Sequence, residues 1–211
     1  MTNLAALLAL SDSRLPAGGH VHSGGVEQAI VEGRVRDLAT LRAFLRRRIR
    51  THGLVAASVA AAVHSARLDI DAADRETDAR TPAPAARQAS RAQGRGLVRL
   101  ARQVWPDGPW QRLGPTPHLV VAAGAVGAAS AMLPEHTALS VIYTTMTGSA
   151  TAAQRLLALD PGDVAAVTFE LAPLCDQLAA AAAKELAELS DPLLDVLAER
   201  HSQRERPLFA S

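Results

Sequence analysis

The residues best suited to chemistry crowd into one stretch, SDSRLPAGGHVHSGGVE at 11–27, with four glycines, a proline and two histidines two apart. His20 and His22 offer two imidazoles to a metal, but a closed site takes four ligands and a catalytic one usually three and a water. His52, His64, His118, His136, His201 and the single cysteine, Cys175, follow no ligand spacing. Two loop histidines alone therefore make a stable metal site the minor reading, and a hydrolase using them stands as an alternative. The glycines suggest a phosphate cradle, yet a P-loop also needs a lysine right after its glycines. The only lysine is Lys184, in AAAKEL, with no glycine nearby. The dinucleotide fingerprint G-x-G-x-x-G is absent as well.

Nothing marks a nucleophile elbow around any serine, so no catalytic residue is assigned. The run Arg46–Arg47–Arg48 raises DNA binding, and a helical DNA-binding regulator is a second alternative. A formal net charge of +1 leaves no basic footprint, however, and the run reads as the solvated face of an amphipathic helix. Neither nucleic acid nor a membrane is demanded as a partner.

The elements that must hold these residues are helical. Alanine is abundant, aromatics are 3% of the chain, and no convincing alternating run suggests a strand. Leu4, Leu7 and Leu8 give a helical face that ends at Ser11–Asp12–Ser13. Ser23 is the expected N-cap of a helix through Val31, and Asp37 that of the next, whose apolar stripe is Leu38, Leu41, Leu45 and Ile49. Gly53 is expected to break this helix before an alanine-rich one over 54–67. Residues 69–86 turn charged and then Pro/Ala-rich, predicting a mobile linker within about 75–86. Helices follow over 86–104, 117–132 and 136–158. Asp163 is expected to cap one ending near 170, Leu174–Leu189 form another, and Asp191–Pro192 start the last. The apolar run from Leu119 to Leu133 is too short to cross a bilayer and predicts a buried central helix. The N-terminus reads as a short amphipathic helix, with no basic n-region of a signal peptide. One cysteine permits no internal disulfide and fits a reducing cytoplasm. The expectation is an all-α, single-domain bundle of roughly eight to ten helices over 1–200, followed by a tail at 201–211.

That tail carries Leu208 and Phe209 beyond the last helix. Apolar side chains on a free end gain nothing until they are covered. They either fold back on their own domain or dock on a partner, and physics leaves the choice near even.

Three separated segments resemble the urease accessory protein F family. In the first, Ser11, Asp12, Ser13, Leu15, Pro16, Gly18, Gly19, His22, Ser23, Gly25 and Glu27 match the family's N-terminal signature, while His20 replaces its usual aromatic. The second is Arg87, Ser90 and Gly94, an R-x-x-S-x-x-x-G element. The third is the C-terminal end, where His201, Leu208, Phe209 and Ser211 match, Ser202 stands where glutamate is usual, and Arg206–Pro207 loosens the spacing by one. A family loop reading R-L-x-P-L-G-Q is altered: Arg155–Leu156 match, but Ala158, Asp160 and Pro161 do not.

The resemblance implies an all-α, homodimeric, cytoplasmic chaperone with no catalysis of its own. It implies a scaffold joining the accessory protein D (also called H) to the accessory GTPase G, for GTP-dependent loading of nickel into apo-urease. GTP then sits on the partner, and nickel passes through the assembly rather than resting on this chain. The expected D/H-facing residues are His201, Arg206, Leu208, Phe209 and Ser211. Glu27 and Arg155 are expected at the GTPase or dimer surface.

Overall fold

Ten α-helices run through the residues that the computed structural model describes, 3–16, 21–188, 191–205 and 207–209. They are α1 (Leu4–Ser11), α2 (Val26–Val31), α3 (Leu38–Arg48), α4 (Leu54–His64), α5 (Ile70–Ala79), α6 (Pro84–Val104), α7 (Leu119–Ala129), α8 (Pro134–Leu157), α9 (Pro161–Ala182) and α10 (Pro192–Ser202). There is no strand among the described residues. The all-α expectation and the helix count agree with this.

Helices α4 and α8 form the axis. Helix α4 is apolar all round, with every residue from Val55 to Val63 buried, which is how a helix reads when neighbours cover all its faces. Ala57 and Ala61 join a core with α2, α3, α8, α9 and α10, centred on Leu41, Leu45, Ile142, Met146 and Leu197. Ala56, Val59, Ala60 and Val63 join a second core with α5, α6 and α7, around Leu97, Val121 and Trp110. The run from Leu119 is the buried α7 of that second core, as expected.

Several boundaries differ from expectation. The N-cap of α2 is Gly25, in a left-handed conformation with no side-chain cap bond, and not Ser23. Gly53 does not break the chain; Ile49–Gly53 form a π-turn through which α3 runs on into α4. The stretch 75–86 is helical to Ala79 and again from Pro84, so α5 and α6 are joined by a short connection. Asp69 caps α5 through a bond from Ala72 N at 2.8 Å. Asp160, rather than Asp163, caps α9 by accepting from Gly162 N (2.8 Å) and Asp163 N (3.1 Å). Helix α9 then runs unbroken past 170 to Ala182, with Pro173 inside it on an exposed position. A proline there removes one backbone bond, and the apolar stripe Val164, Val167, Leu171, Cys175, Ala179 and Ala182 holds the helix against its neighbours regardless.

Among the described residues, α9 alone is long and apolar enough to cross a membrane, at a mean hydropathy of 1.3. It packs on α8, α4 and α3 and carries Asp163, Glu170 and Asp176. Cys175 lies on its inner face, where burial, and then the nearby Asp176 carboxylate, push the thiol up to about 11. Thiolate is the reactive form. Cys175 is therefore expected to resist a thiol reagent at pH 8 in the native protein and to react at once in denaturant. Rapid native labelling, read by mass spectrometry, would contradict that placement.

Candidate functional site

The three segments singled out in the sequence meet across a cavity of about 450 Å³. Ser11, Asp12, Ser13, His22, Gly24 and Gly25 line it from the N-terminal stretch, Ser90 from α6, Arg155 from α8 and Phe209 from the tail. Gly18, Gly19, His20, Arg206 and Ser211 lie outside the described residues, and with them the reading of His20 and His22 as metal ligands.

The N-terminal stretch is tied down at both ends. Ser11 Oγ donates to Ser140 Oγ on α8 at 3.0 Å, and Asp12 holds the exposed Arg14 in a two-pronged ion pair. That pair, before all else, brings the Asp12 carboxyl down to about 2. Pro16 is exposed. Ser23 is fully buried, and its carbonyl accepts from Ser149 Oγ at 3.0 Å. Gly24 and Gly25 follow, both at positive φ, and turn the chain into α2.

Glu27 is the first surprise. It is expected at a partner-facing surface but is 2% exposed. His201 Nε2 lies 2.8 Å from its Oε2, and His201 is equally buried. The backbone N–H groups of Leu208 and Phe209 donate to Oε1 and Oε2 at 2.9 and 3.0 Å. Arg204 Nη1 stands 3.6 Å away. Burial pushes the Glu27 carboxyl up, but the His201 bond, the two N–H bonds and the His201 charge outweigh it, and the net shift is downward. One carboxylate of the N-terminal signature thus ties down the C-terminal segment. Phe209 packs partly buried against the main core, whereas Leu208 is 78% exposed. Of the two apolar tail residues, Phe209 folds back on its own domain and Leu208 does not.

The middle element closes α6 onto the start of α7. Arg87 Nη1 donates to the carbonyls of Thr81 and Pro82 at 2.7 and 3.1 Å. Ser90 Oγ accepts from Leu119 N at 3.1 Å and meets His118 Nδ1 at 3.0 Å. Gly94 is buried so close to this junction that a methyl group on it would collide with the Pro117 carbonyl oxygen. The element thus has a definite packing role, and its key partner, His118, follows no ligand spacing in the sequence.

His118 is completely buried, with Nε2 at 2.9 Å from Asp78 Oδ1. Burial pushes the imidazole below its usual range, against the pull of Asp78. Asp74, Asp78 and His118 point three donor atoms at one place. Arg91 Nη2 already stands 2.9 Å from Asp74 and 2.8 Å from Asp78. A guanidinium supplies the positive charge there, so the group suits an internal ion-pair network better than a cation.

The triple arginine run divides three ways. Arg46, together with Arg42, pairs with Glu170 on α9. Arg47 grips Asp191 with two bonds of 2.6 Å. Arg48 turns inward and lines the cavity. Arg155 lies exposed in the last turn of α8 on the cavity rim, before the left-handed C-cap Ala158.

With this geometry in view, comparison with known proteins is decisive. The family model described as UreF matches residues 35–172. The chain is 74% identical over 211 residues to a protein named Urease accessory protein UreF from Mycobacterium sp. (strain JLS), with both chains covered completely. It belongs to the UreF family. A relative of the same name in Mycobacterium tuberculosis (strain ATCC 25177 / H37Ra) is 68% identical over 211 residues, again covering all of both chains. The N-terminal signature lies outside the matched span, and so do α10 and the tail. The full-length relatives bring those segments within the family likeness.

Proposed function

We propose that this UreF family chain is a urease maturation chaperone that works by binding. It bridges the accessory D/H protein and the accessory GTPase G and regulates GTP-dependent nickel insertion into apo-urease. The observation that carries this reading is similarity, along the whole chain, to proteins named as urease accessory proteins. Nickel is cargo of the assembly, GTP belongs to the partner, and the chain acts in the cytoplasm as a homodimer.

The tail remains the proposed D/H-facing element, and the fold narrows which of its residues are offered. His201 is committed to Glu27, while Leu208 stands exposed beside that anchor. Arg155, exposed at the end of α8, is the proposed contact for the GTPase or the dimer partner.

The test is complementation. A urease-positive host lacking its own F protein is expected to regain urease activity with this chain and not with an empty vector, at equal levels of apo-urease. Failure to restore activity, together with failure to co-purify with D/H and G proteins expressed beside it, would overturn the reading. For the tail, Leu208→Asp should reduce D/H co-purification about tenfold or more, as loss of a buried apolar anchor does, with helical content unchanged. Undiminished capture would remove Leu208 from that interface. Truncation before His201 is a poorer test, because it would strip the buried Glu27 of all its partners.

A further inference from the structure

Arg48 is a cation without an ion-pair partner inside the cavity. No carboxylate of the described residues lies within ion-pair distance of it, and its buried Nε has no hydrogen-bond partner. The charge it feels most is Asp191, and both oxygens of that carboxylate are already held by Arg47 at 2.6 Å. Uncompensated buried charge is costly, and a guanidinium left with free donors presents a fork matched to an oxyanion.

The surroundings place that guanidinium on the cavity wall. Arg48 ends α3 at the π-turn Ile49–Gly53, a type of helix defect that collects at functional sites. Gly24 passes directly over the guanidinium: a Cβ there would lie 2.5 Å from Nη2, 2.7 Å from Cζ and 2.9 Å from Ser149 Oγ. Ser23 Oγ, in the adjoining residue, is fully buried and also lacks a partner.

The other charged groups on the wall do not neutralise Arg48. Asp12 is held by Arg14, and Arg80 is paired with Glu76. Asp195 accepts from Ala83 N, and burial pushes its carboxyl up toward the neutral form. His52 carries no negative charge in either protonation state, so it offers Arg48 no compensation.

We propose that Arg48, beneath Gly24 and beside Ser149, is the recognition group of a small-oxyanion site in this cavity. The site is independent of the proposed role in urease maturation. Its ligand class is a tetrahedral or planar oxyanion, a phosphate or a carboxylate, engaged by the guanidinium fork.

The test is titration of the full-length protein with inorganic phosphate, and separately with acetate, at ionic strength fixed by chloride. The Arg48 Nε–H resonance, assigned by its absence in Arg48→Met, reports on the site. A saturable shift with either anion is expected in wild type, and equilibrium dialysis is expected to give an affinity about tenfold or more weaker in Arg48→Met, as loss of a charge-assisted pair of bonds requires. Saturation with both anions supports a free oxyanion. Saturation with acetate alone supports a carboxylate, such as an acidic side chain of a partner. Equilibrium dialysis of wild type and Arg48→Lys gives a second measure should Arg48→Met not fold, with weaker binding expected in the lysine variant, which keeps the charge but lacks the planar fork. A linear, unsaturated response to both anions in wild type, or equal affinity in Arg48→Met, would overturn the proposal.

Discussion

Replacing Glu27 with alanine is expected to destabilise the protein by about 3–5 kcal/mol, because it leaves three donors without their acceptor at about 1–3 kcal/mol for each that is buried. That is a large part of the roughly 5–15 kcal/mol by which domains are stable at all. The reason lies in what the carboxylate does. It accepts from the backbone N–H groups of Leu208 and Phe209 and pairs with His201, all within 3.0 Å, and both Glu27 and His201 are buried. Without it, a buried imidazole and two N–H groups lose their acceptor together. Urea unfolding followed by circular dichroism measures the loss. Amide exchange at Leu208 and Phe209 should rise toward the unprotected rate in the same variant. Glu27→Gln, which keeps one acceptor oxygen, should lose less. Unchanged stability in Glu27→Ala would mean that the tail is held by other contacts.

The same residue predicts the acid limb. The Glu27 carboxyl is lowered in the folded chain, so between its folded and unfolded pKa values the unfolded state binds more protons. Its contribution is complete above the ordinary glutamate value, about 4.3, and is lost as pH falls through the lowered folded value. Stability plotted against pH should therefore fall less steeply below pH 4 in Glu27→Ala than in wild type.

Much of the fold was legible because its helices are long, periodic or alanine-rich. The stripe Leu38, Leu41, Leu45 and Ile49 is α3, and the small-residue run from Leu119 is α7. Failures came where two local signals compete. Ser23 is a good N-cap by type, but its chain neighbours are glycines free to take positive φ, and Gly25 takes the cap position instead. Asp160 and Asp163 both qualify as caps, and the proline between them marks the first. The site was harder to read. Glu27 belongs to a six-residue helix, too short to show a buried face, and its partners lie more than 170 positions away. Arg48 was legible in principle. It stands seven residues after Leu41 and three after Leu45, on the apolar stripe, where an arginine must find water, a carboxylate or a cavity. Reading it as part of a triple-arginine run hid that position.

Gly94→Ala sets two magnitudes against each other. Glycine inside a helix is worse than alanine by roughly 0.8–1.0 kcal/mol, so propensity alone predicts a more stable protein. Packing predicts the opposite. The new methyl would run into the Pro117 carbonyl oxygen and lie 2.9 and 3.0 Å from His118 C and Leu119 N. All three are backbone atoms, so no side-chain rotation relieves the contact, and α6 must move away from α7. Overpacking of this kind typically costs about 1–3 kcal/mol. The shift would also stretch the Ser90 bonds to Leu119 N and His118, which hold the buried histidine against Asp78. Net destabilisation of about 1–2 kcal/mol is therefore expected, the upper packing cost less the propensity gain. Gly148 supplies the control. It lies within α8, and a methyl there would meet nothing within 4 Å. Gly148→Ala should gain roughly 0.5–1 kcal/mol from propensity alone. Thermal unfolding of the two variants should thus shift in opposite directions, and a gain in both would show that α6 and α7 part without cost.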